Sequence, residues 1–177
     1  IVNLLAFIFE LLPLMGFFIG YNLYGIFFAA AAGIGISVAV IGISWYGGKY
    51  LAPFPIFSLL ITIILTAMAF LLGDAVFIKM QPTFFNGLFS ALLLGGLLID
   101  KPMMRSFFSK QFQLSDRTWH QLSFRWGCFL FVLAIANEIV WRNNSEAFWV
   151  GYRTFVAAPA VLVFMLSQLP LTLKGRM

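Results

Sequence analysis

"FPIFSLLITIILTAMAFLL", residues 54–72, contains no charged side chain and is apolar almost throughout. An apolar helix needs about 20 residues to cross a bilayer, and this stretch comes close to that length. Membrane β-strands alternate apolar and polar residues, whereas this run is continuously apolar. The stretch therefore predicts a membrane-spanning helix and favours an all-α fold.

The composition of the whole chain agrees with this interpretation. Of its 177 residues, 62% are hydrophobic and 10% charged, and the mean hydropathy is +0.99. Soluble domains hold about 25% charged residues, so this chain has too few charges to cover a surface that faces water. An integral membrane protein is expected.

Six apolar segments follow one another along the chain, joined mostly by short connections, which predicts a compact bundle of antiparallel neighbours in one membrane domain over residues 1–177. Glu10 and Pro13 interrupt the first segment, which either spans or lies at the interface, leaving five spans. The segments run from about Asn3 to Ile19, Tyr24 to Trp45, Phe54 to Leu72, Pro82 to Ile99, Leu122 to Trp141 and Trp149 to Leu171.

The distribution of basic residues predicts the orientation. The longest connection, between segments four and five, and the C-terminus together hold most of the Lys and Arg residues. Cytoplasmic connections carry this excess, so the C-terminus is expected in the cytoplasm. If the first segment spans, the N-terminus lies there too; if not, it lies outside. The net charge of +5 reports orientation and contact with anionic lipid, and no nucleic-acid binding is expected.

The connection at about residues 101–117 has the pattern of an amphipathic interfacial helix. Met103, Met104, Phe107, Phe108 and Phe112 share one face at helical spacing, and Pro102 suits the first turn. A helix docked on the protein is the plainer interpretation, because the three cations of residues 101–114 fall short of the roughly 4–8 of a dedicated lipid-binding cluster. The alternative is contact with anionic lipid or a protein partner. The candidate contact residues are Lys101, Arg105, Phe107, Phe108, Lys110 and Arg117.

Polar residues inside apolar segments are the other candidates for function. Glu10 is the foremost of these for a transport or proton role. Glu138 and Arg142 have the spacing of a helical ion pair, and Asn137 beside them is expected to bond across helices. Two ladders of small residues, Ala29-Gly33-Ser37 and Gly87-Ala91-Gly95, favour close helix packing or, alternatively, contact between copies of the chain.

The sequence contains no recognisable catalytic or metal-binding motif. His120 and Cys128 stand eight residues apart, and neither HExxH nor CxxC occurs. We therefore expect no metal, no cofactor and no enzymatic activity, with His120 as a polar residue at the entrance to segment five.

Five stretches together resemble a known family. They are "LLPLMGFF" (11–18), "FIKMQPT" (77–83), "KPMMRSFFSKQFQLSDRTW" (101–119), "FRWGCFLFVLAIANEIVW" (124–141) and "FWVGYRTF" (148–155). Their order and spacing are similar to those of the bacterial intracellular septation protein A family, also called the YciB family. The resemblance implies a multi-pass inner-membrane protein tied to cell division and envelope maintenance, often drawn with five spans. It implies no cofactor and no catalytic residue.

Three hypotheses of function follow. The first is a scaffold or accessory protein of septation and envelope maintenance that contacts membrane lipids and other inner-membrane proteins. The second is a small transporter or channel for ions or lipid that uses Glu10, with Glu138 and Arg142 near its outer mouth. The third is a fixed accessory subunit of a larger membrane complex.

Overall fold

The structure of the chain is a computed structural model that describes residues 4–48, 53–110 and 112–176. The side chains of residues 4–10 and 53–54 lie outside this description. The chain divides into two compact units, Ile1–Gln81 and Pro82–Met177, and each is described by itself. The expectation of a single membrane domain stays a prediction.

The first unit opens with an antiparallel helix pair, α1 (Leu4–Tyr24) and α2 (Ile26–Tyr46). Gly25 alone joins them with a φ of 91°, a backbone angle that glycine adopts at little cost. Small residues bring the two backbones close together. A Cβ on Gly20 would lie 3.2 Å from Ala29 Cα, and a Cβ on Gly33 would lie 3.7 Å from the Pro13 carbonyl oxygen. Part of the predicted ladder in segment two therefore packs within the chain.

Helix α3 (Pro53–Leu72) continues the first unit, and the short helix α4 (Val76–Lys79) follows it. Phe70 of α3 meets Phe27 of α2 edge to face, with ring centroids 5.2 Å apart. Gln81, the first residue of the next helix, donates from Nε2 to Thr66 Oγ1 over 2.7 Å. This buried hydrogen bond ties the end of the unit back to α3.

The second unit contains α5 (Gln81–Leu98), α6 (Met103–Phe108) and the long α7 (Asp116–Asn143). Of α5, all residues from Pro82 onward belong to this unit. Ser90 Oγ of α5 donates to the Gly127 carbonyl oxygen of α7 over 2.7 Å. A Cβ on Gly127 would lie 2.7 Å from Leu94 Cγ, so α5 and α7 cross where α7 has no side chain.

A nearly continuous helix completes the second unit. It comprises α8 (Glu146–Tyr152), a π-helical segment (Arg153–Ala157), α9 (Ala158–Ser167) and α10 (Leu169–Lys174). Phe164 of α9 stacks on Phe129 of α7, with centroids 4.0 Å apart. Serine side chains accept backbone N–H groups at the starts of α7 and α8, namely Ser115 from Thr118 and Ser145 from Phe148, as N-cap residues do.

The predicted all-α membrane fold is confirmed. No strand occurs in residues 4–48, 53–110 and 112–176, although an isolated bridge pairs Leu114 with Arg176. The part of α1 whose side chains are described, Leu11–Tyr24, is a shorter apolar stretch. Within the part of the chain that the structure describes, five helical stretches are long and apolar enough to cross a membrane: Ile26–Tyr46, Pro55–Leu72, Val76–Leu98, Asp116–Asn143 and Glu146–Lys174.

Candidate functional site

The connection between segments four and five, which we call the basic connection, forms an amphipathic helix, but this helix is shorter than the sequence pattern predicts for residues 101–117. It ends at Phe108, and it begins after Pro102, whose backbone is extended. Pro102 precedes the first turn because the chain is still completing the turn after α5, where Lys101 N donates to the Gly96 carbonyl oxygen over 2.8 Å.

The apolar face of α6 packs on the protein. Met104 and Phe108 contact the buried cluster of Leu114, Trp119 and Leu122 around the start of α7. Other contacts add to this docking, because Phe107 lies 5.8 Å from Phe89 between ring centroids and Met104 N donates to Ser123 Oγ over 3.2 Å. The helix thus has the docked arrangement of the plainer interpretation.

The charged residue of α6, Arg105, stays exposed and pairs with the first residue of α7. Arg105 is 58% exposed, and its Nη1 lies 2.7 Å from Asp116 Oδ1. The other acid of the connection, Asp100, accepts from His120 with 2.9 Å between Oδ1 and Nε2. His120, the polar residue expected at the entrance to segment five, thus links α7 to the turn that follows α5. Lys101, Lys110 and Arg117 are exposed.

The C-terminal residues lie against the start of α7, next to the basic connection. Ser115 N donates to the Gly175 carbonyl oxygen over 3.0 Å, and Leu114 pairs with Arg176 in the isolated bridge. A Cβ on Gly175 would overlap the Thr118 side chain. These contacts bring Lys174 and Arg176 to the basic connection. No local sequence signal predicts them, since more than fifty residues separate the partners.

A polar cluster joins α5, α7 and α8 at the opposite end of the second unit. Asn137 Nδ2 donates to Thr83 Oγ1 over 2.9 Å, and Asn137 Oδ1 accepts from Trp149 Nε1 over 2.9 Å. Asn137 and Trp149 are both buried. The expected bond of Asn137 across helices is therefore present, and it links three elements. We call Thr83, Asn137, Glu138, Trp141, Arg142 and Trp149 the polar cluster.

Glu138 extends the polar cluster towards the surface. Its Oε1 accepts from Thr83 Oγ1 over 2.8 Å and from Trp141 Nε1 over 3.0 Å, while Arg142 Nε donates to Oε2 over 2.6 Å. The ion pair predicted from the spacing of Glu138 and Arg142 is thus present. Thr83, Trp141 and Trp149 were missed in the sequence, where a lone Thr and interfacial Trp residues carry no distinguishing pattern.

Glu10 belongs to α1, but its side chain lies outside the described residues. Among the residues that the structure does describe, no three His, Cys, Asp or Glu side chains stand together as metal ligands would. The second unit thus carries the basic connection at one end and the polar cluster at the other.

The fold and these two surfaces define a class, that of multi-pass helical membrane proteins. The family model for intracellular septation protein A matches residues 5–176, and the chain belongs to this family.

Curated relatives carry the name "Inner membrane-spanning protein YciB". The chain is 37% identical to that of Sinorhizobium medicae, over 85% of this chain and 69% of the relative. It is 40% identical to that of Brucella melitensis, over 84% of this chain and 74% of the relative. It is 36% identical to that of Rhizobium meliloti, over 97% of this chain and 89% of the relative. No solved structure matches the chain. These relatives and the apolar helices make the chain a multi-pass protein of the inner membrane.

Proposed function

We propose that this protein serves septation and envelope maintenance as a scaffold or accessory protein without enzymatic activity. The family to which the chain belongs supports the cellular role by its description. One structural observation supports the mode of action, namely that α6 is docked on α7 by Met104 and Phe108 while Arg105 and the flanking Lys101 and Lys110 stay exposed. A surface held in this way meets a partner with little loss of conformational freedom.

The basic connection faces the cytoplasm in this proposal. It carries Lys101, Arg105, Lys110 and Arg117, and the C-terminus beside it adds two more cations. At the other end of the same helices, Glu138 offsets the charge of Arg142. Loops rich in Lys and Arg stay in the cytoplasm, so this asymmetry favours that orientation.

The test replaces Arg105 and Lys110 by Glu in the full chain, expressed in cells that lack their own copy. We expect septation defects and the loss of a protein partner that co-purifies in native lipid discs. Lys79→Glu is the matched control, since it reverses a cation in another connection. Normal division and an unchanged set of partners in the double variant would show that the connection plays no part.

The other two hypotheses receive less support. Transport relies on Glu10, while Glu138 and Arg142 bond to each other and to their neighbours as structural groups do. Unchanged ion or lipid flux through reconstituted Glu10→Gln protein would count against a transport role. Co-purification with one partner in constant ratio would instead indicate a fixed subunit of a complex.

A further inference from the structure

At one end of the second unit, the fold brings together basic side chains from separate stretches of the sequence. The Ser115–Gly175 hydrogen bond and the Leu114–Arg176 bridge bring the end of α10 to the start of α7. The resulting group, which we call the basic platform, is exposed at every member. It consists of Lys101, Arg105, Lys110, Arg117, Lys174 and Arg176.

The basic platform has a clear excess of positive charge. It contains six of the chain's 11 Lys and Arg residues, which lies within the range of about 4–8 typical of a cluster that binds anionic lipid. Of the residues that the structure describes, two carboxylates lie among these cations, Asp116 against Arg105 and Asp100 against His120. Four cations therefore remain in excess of the acids.

The surroundings of the basic platform indicate its depth in the membrane. Leu98 and Ile99 at the end of α5 are 89% and 66% exposed, and Leu173 in α10 is 62% exposed. Large apolar side chains at the ends of spanning helices face acyl chains at low cost, whereas facing water would be unfavourable. Lys174, which follows Leu173 directly, and Lys101, which follows Ile99 after Asp100, then lie at the level of the lipid headgroups.

We propose that the basic platform binds the phosphate groups of anionic phospholipids, and that the C-terminal segment completes this site. Positive charge at headgroup depth beside exposed apolar side chains matches a lipid, which carries an anionic phosphate next to its acyl chains. A soluble acidic protein would match the charge but leave Leu98, Ile99 and Leu173 without a partner of their kind. This inference rests on the proposed function and deepens it. It names anionic phospholipid as the ligand of the surface to which that function is assigned.

The experiment measures lipid binding by the purified full chain in uncharged detergent with native mass spectrometry. The probes are phosphatidylglycerol and phosphatidylcholine with identical acyl chains. We expect tighter binding of phosphatidylglycerol and a preference that decreases with added salt, because salt screens exposed charges. Lys174→Gln and Arg176→Gln should each weaken phosphatidylglycerol binding about fivefold, since a basic side chain near a lipid surface contributes on the order of 1 kcal/mol. Lys79→Gln is the matched control and should leave the preference unchanged.

A second variant tests placement without a change of charge. Gly175→Ala puts a methyl group into the space of the Thr118 side chain, so the C-terminal segment must move away from α7. Binding of phosphatidylglycerol should fall towards that of the protein lacking both C-terminal cations, while the helix content seen by circular dichroism stays the same.

Three outcomes overturn the proposal: equal affinity for the two lipids, a preference that survives removal of Lys174 and Arg176, or loss of a protein partner from these variants with lipid binding intact. Weakened lipid binding combined with normal septation in cells supports the lipid site and contradicts the proposed cellular function instead. The two proposals therefore fail separately.

Discussion

At the scale of single residues, Asn137 is the centre of the polar cluster because both ends of its amide are used. Asn137→Ala leaves the Trp149 N–H group and the Thr83 hydroxyl without this partner in a buried site. Interhelical hydrogen bonds in membranes contribute about 0.6–2 kcal/mol, so we expect the free energy of unfolding to fall by about 1 kcal/mol. Unfolding in mixed detergent micelles measures this change.

Asn143→Ala is the matched control for Asn137. The Asn143 side chain is exposed and donates to the Ile139 carbonyl oxygen of its own helix, so its removal should change the free energy of unfolding by less than about 0.5 kcal/mol. Equal losses in the two variants would mean that Asn137 does not join the helices energetically.

Glu138 makes two kinds of contact that substitution separates. Glu138→Gln keeps an acceptor for Thr83 and Trp141 but removes the charge paired with Arg142, a side chain that is 60% exposed. Glu138 itself is 24% exposed, but the pair reaches the surface at Arg142, where ion pairs contribute about 0–1 kcal/mol, so Gln should cost little. Glu138→Ala should cost more, because two donors lose their acceptor. The same unfolding measurement compares them, and a larger loss for Gln than for Ala would contradict this order.

Half of the polar cluster is predictable from the sequence. Asn137, Glu138 and Arg142 stand out as polar residues in or beside an apolar segment, and the helical repeat pairs the last two. The helical repeat of one segment carries no information about Thr83 and Trp149, which reach Asn137 from other helices. Their contribution depends on how the helices rotate and cross, which is decided by packing.

At the scale of elements, the crossing of α5 and α7 depends on the missing side chain at Gly127. Gly127→Ala forces a methyl group against Leu94, and overpacking of this kind typically costs 1–3 kcal/mol. Gly95→Ala is the control, since its Cβ would meet no described atom within 4 Å, and we expect it to be neutral or to stabilise the helix by up to about 1 kcal/mol. Unfolding measurements on both variants in the same micelles check this contrast.

A destabilised Gly95→Ala variant would have a different meaning. It would show that the ladder Gly87-Ala91-Gly95 packs against another surface, as the sequence alternative of contact between copies requires. Cross-linking of the native protein in its membrane would then distinguish a second copy from a different partner.

Helix α6 is too short to be stable alone, because isolated helices below about 12–15 residues are marginal in water. Its six residues rely on docking through Met104 and Phe108. We expect Phe108→Ala to speed hydrogen exchange of the α6 amides, including Ser109 N, which donates to the Arg105 carbonyl oxygen. Phe112→Ala is the control, as Phe112 is 37% exposed. If the exchange rates of these amides instead changed with lipid composition and not with Phe108→Ala, insertion of α6 into the headgroup layer would be favoured.

The apolar segments predict the long helices well because the bilayer requires about 20 apolar residues whatever the tertiary packing. Segment three, from Phe54 to Leu72, differs from α3 by one residue at its start. The apolar pattern predicts segment five from Leu122, whereas α7 begins at Asp116, since Ser115 caps a polar first turn that hydropathy does not report. The π-helical segment at Arg153 inside segment six also has no hydropathy signal.

At the scale of the whole molecule, the connections set the orientation in the membrane. A single cysteine, Cys128, makes this testable by labelling in a Cys128→Ser background. We expect a membrane-impermeant maleimide added to whole cells with a permeable outer membrane to label Asn144→Cys but not Ser109→Cys until the inner membrane is opened. Both sites are exposed, so burial does not confound the comparison. The reverse pattern would place the basic connection outside.

The position of the N-terminus depends on whether α1 crosses the membrane, and its packing on α2 argues that it does. The two helices run antiparallel, and α1 approaches α2 from Gly20 beside Ala29 to Pro13 beside Gly33. A helix held along a spanning neighbour cannot lie flat at the interface. Its 21 residues reach about 32 Å, which matches the hydrocarbon core of about 30 Å.

We therefore expect Asn3→Cys, in the same Cys128→Ser background, to be labelled from the side that labels Ser109→Cys. This result would give six spans and place Glu10 in a spanning segment, where an ionisable residue is a candidate for function. Asn22→Cys is the control at the other end of α1 and should be labelled from outside, together with Asn144→Cys. Labelling of Asn3→Cys and Asn22→Cys from the same side would instead give five spans, with α1 turned back before it crosses the membrane.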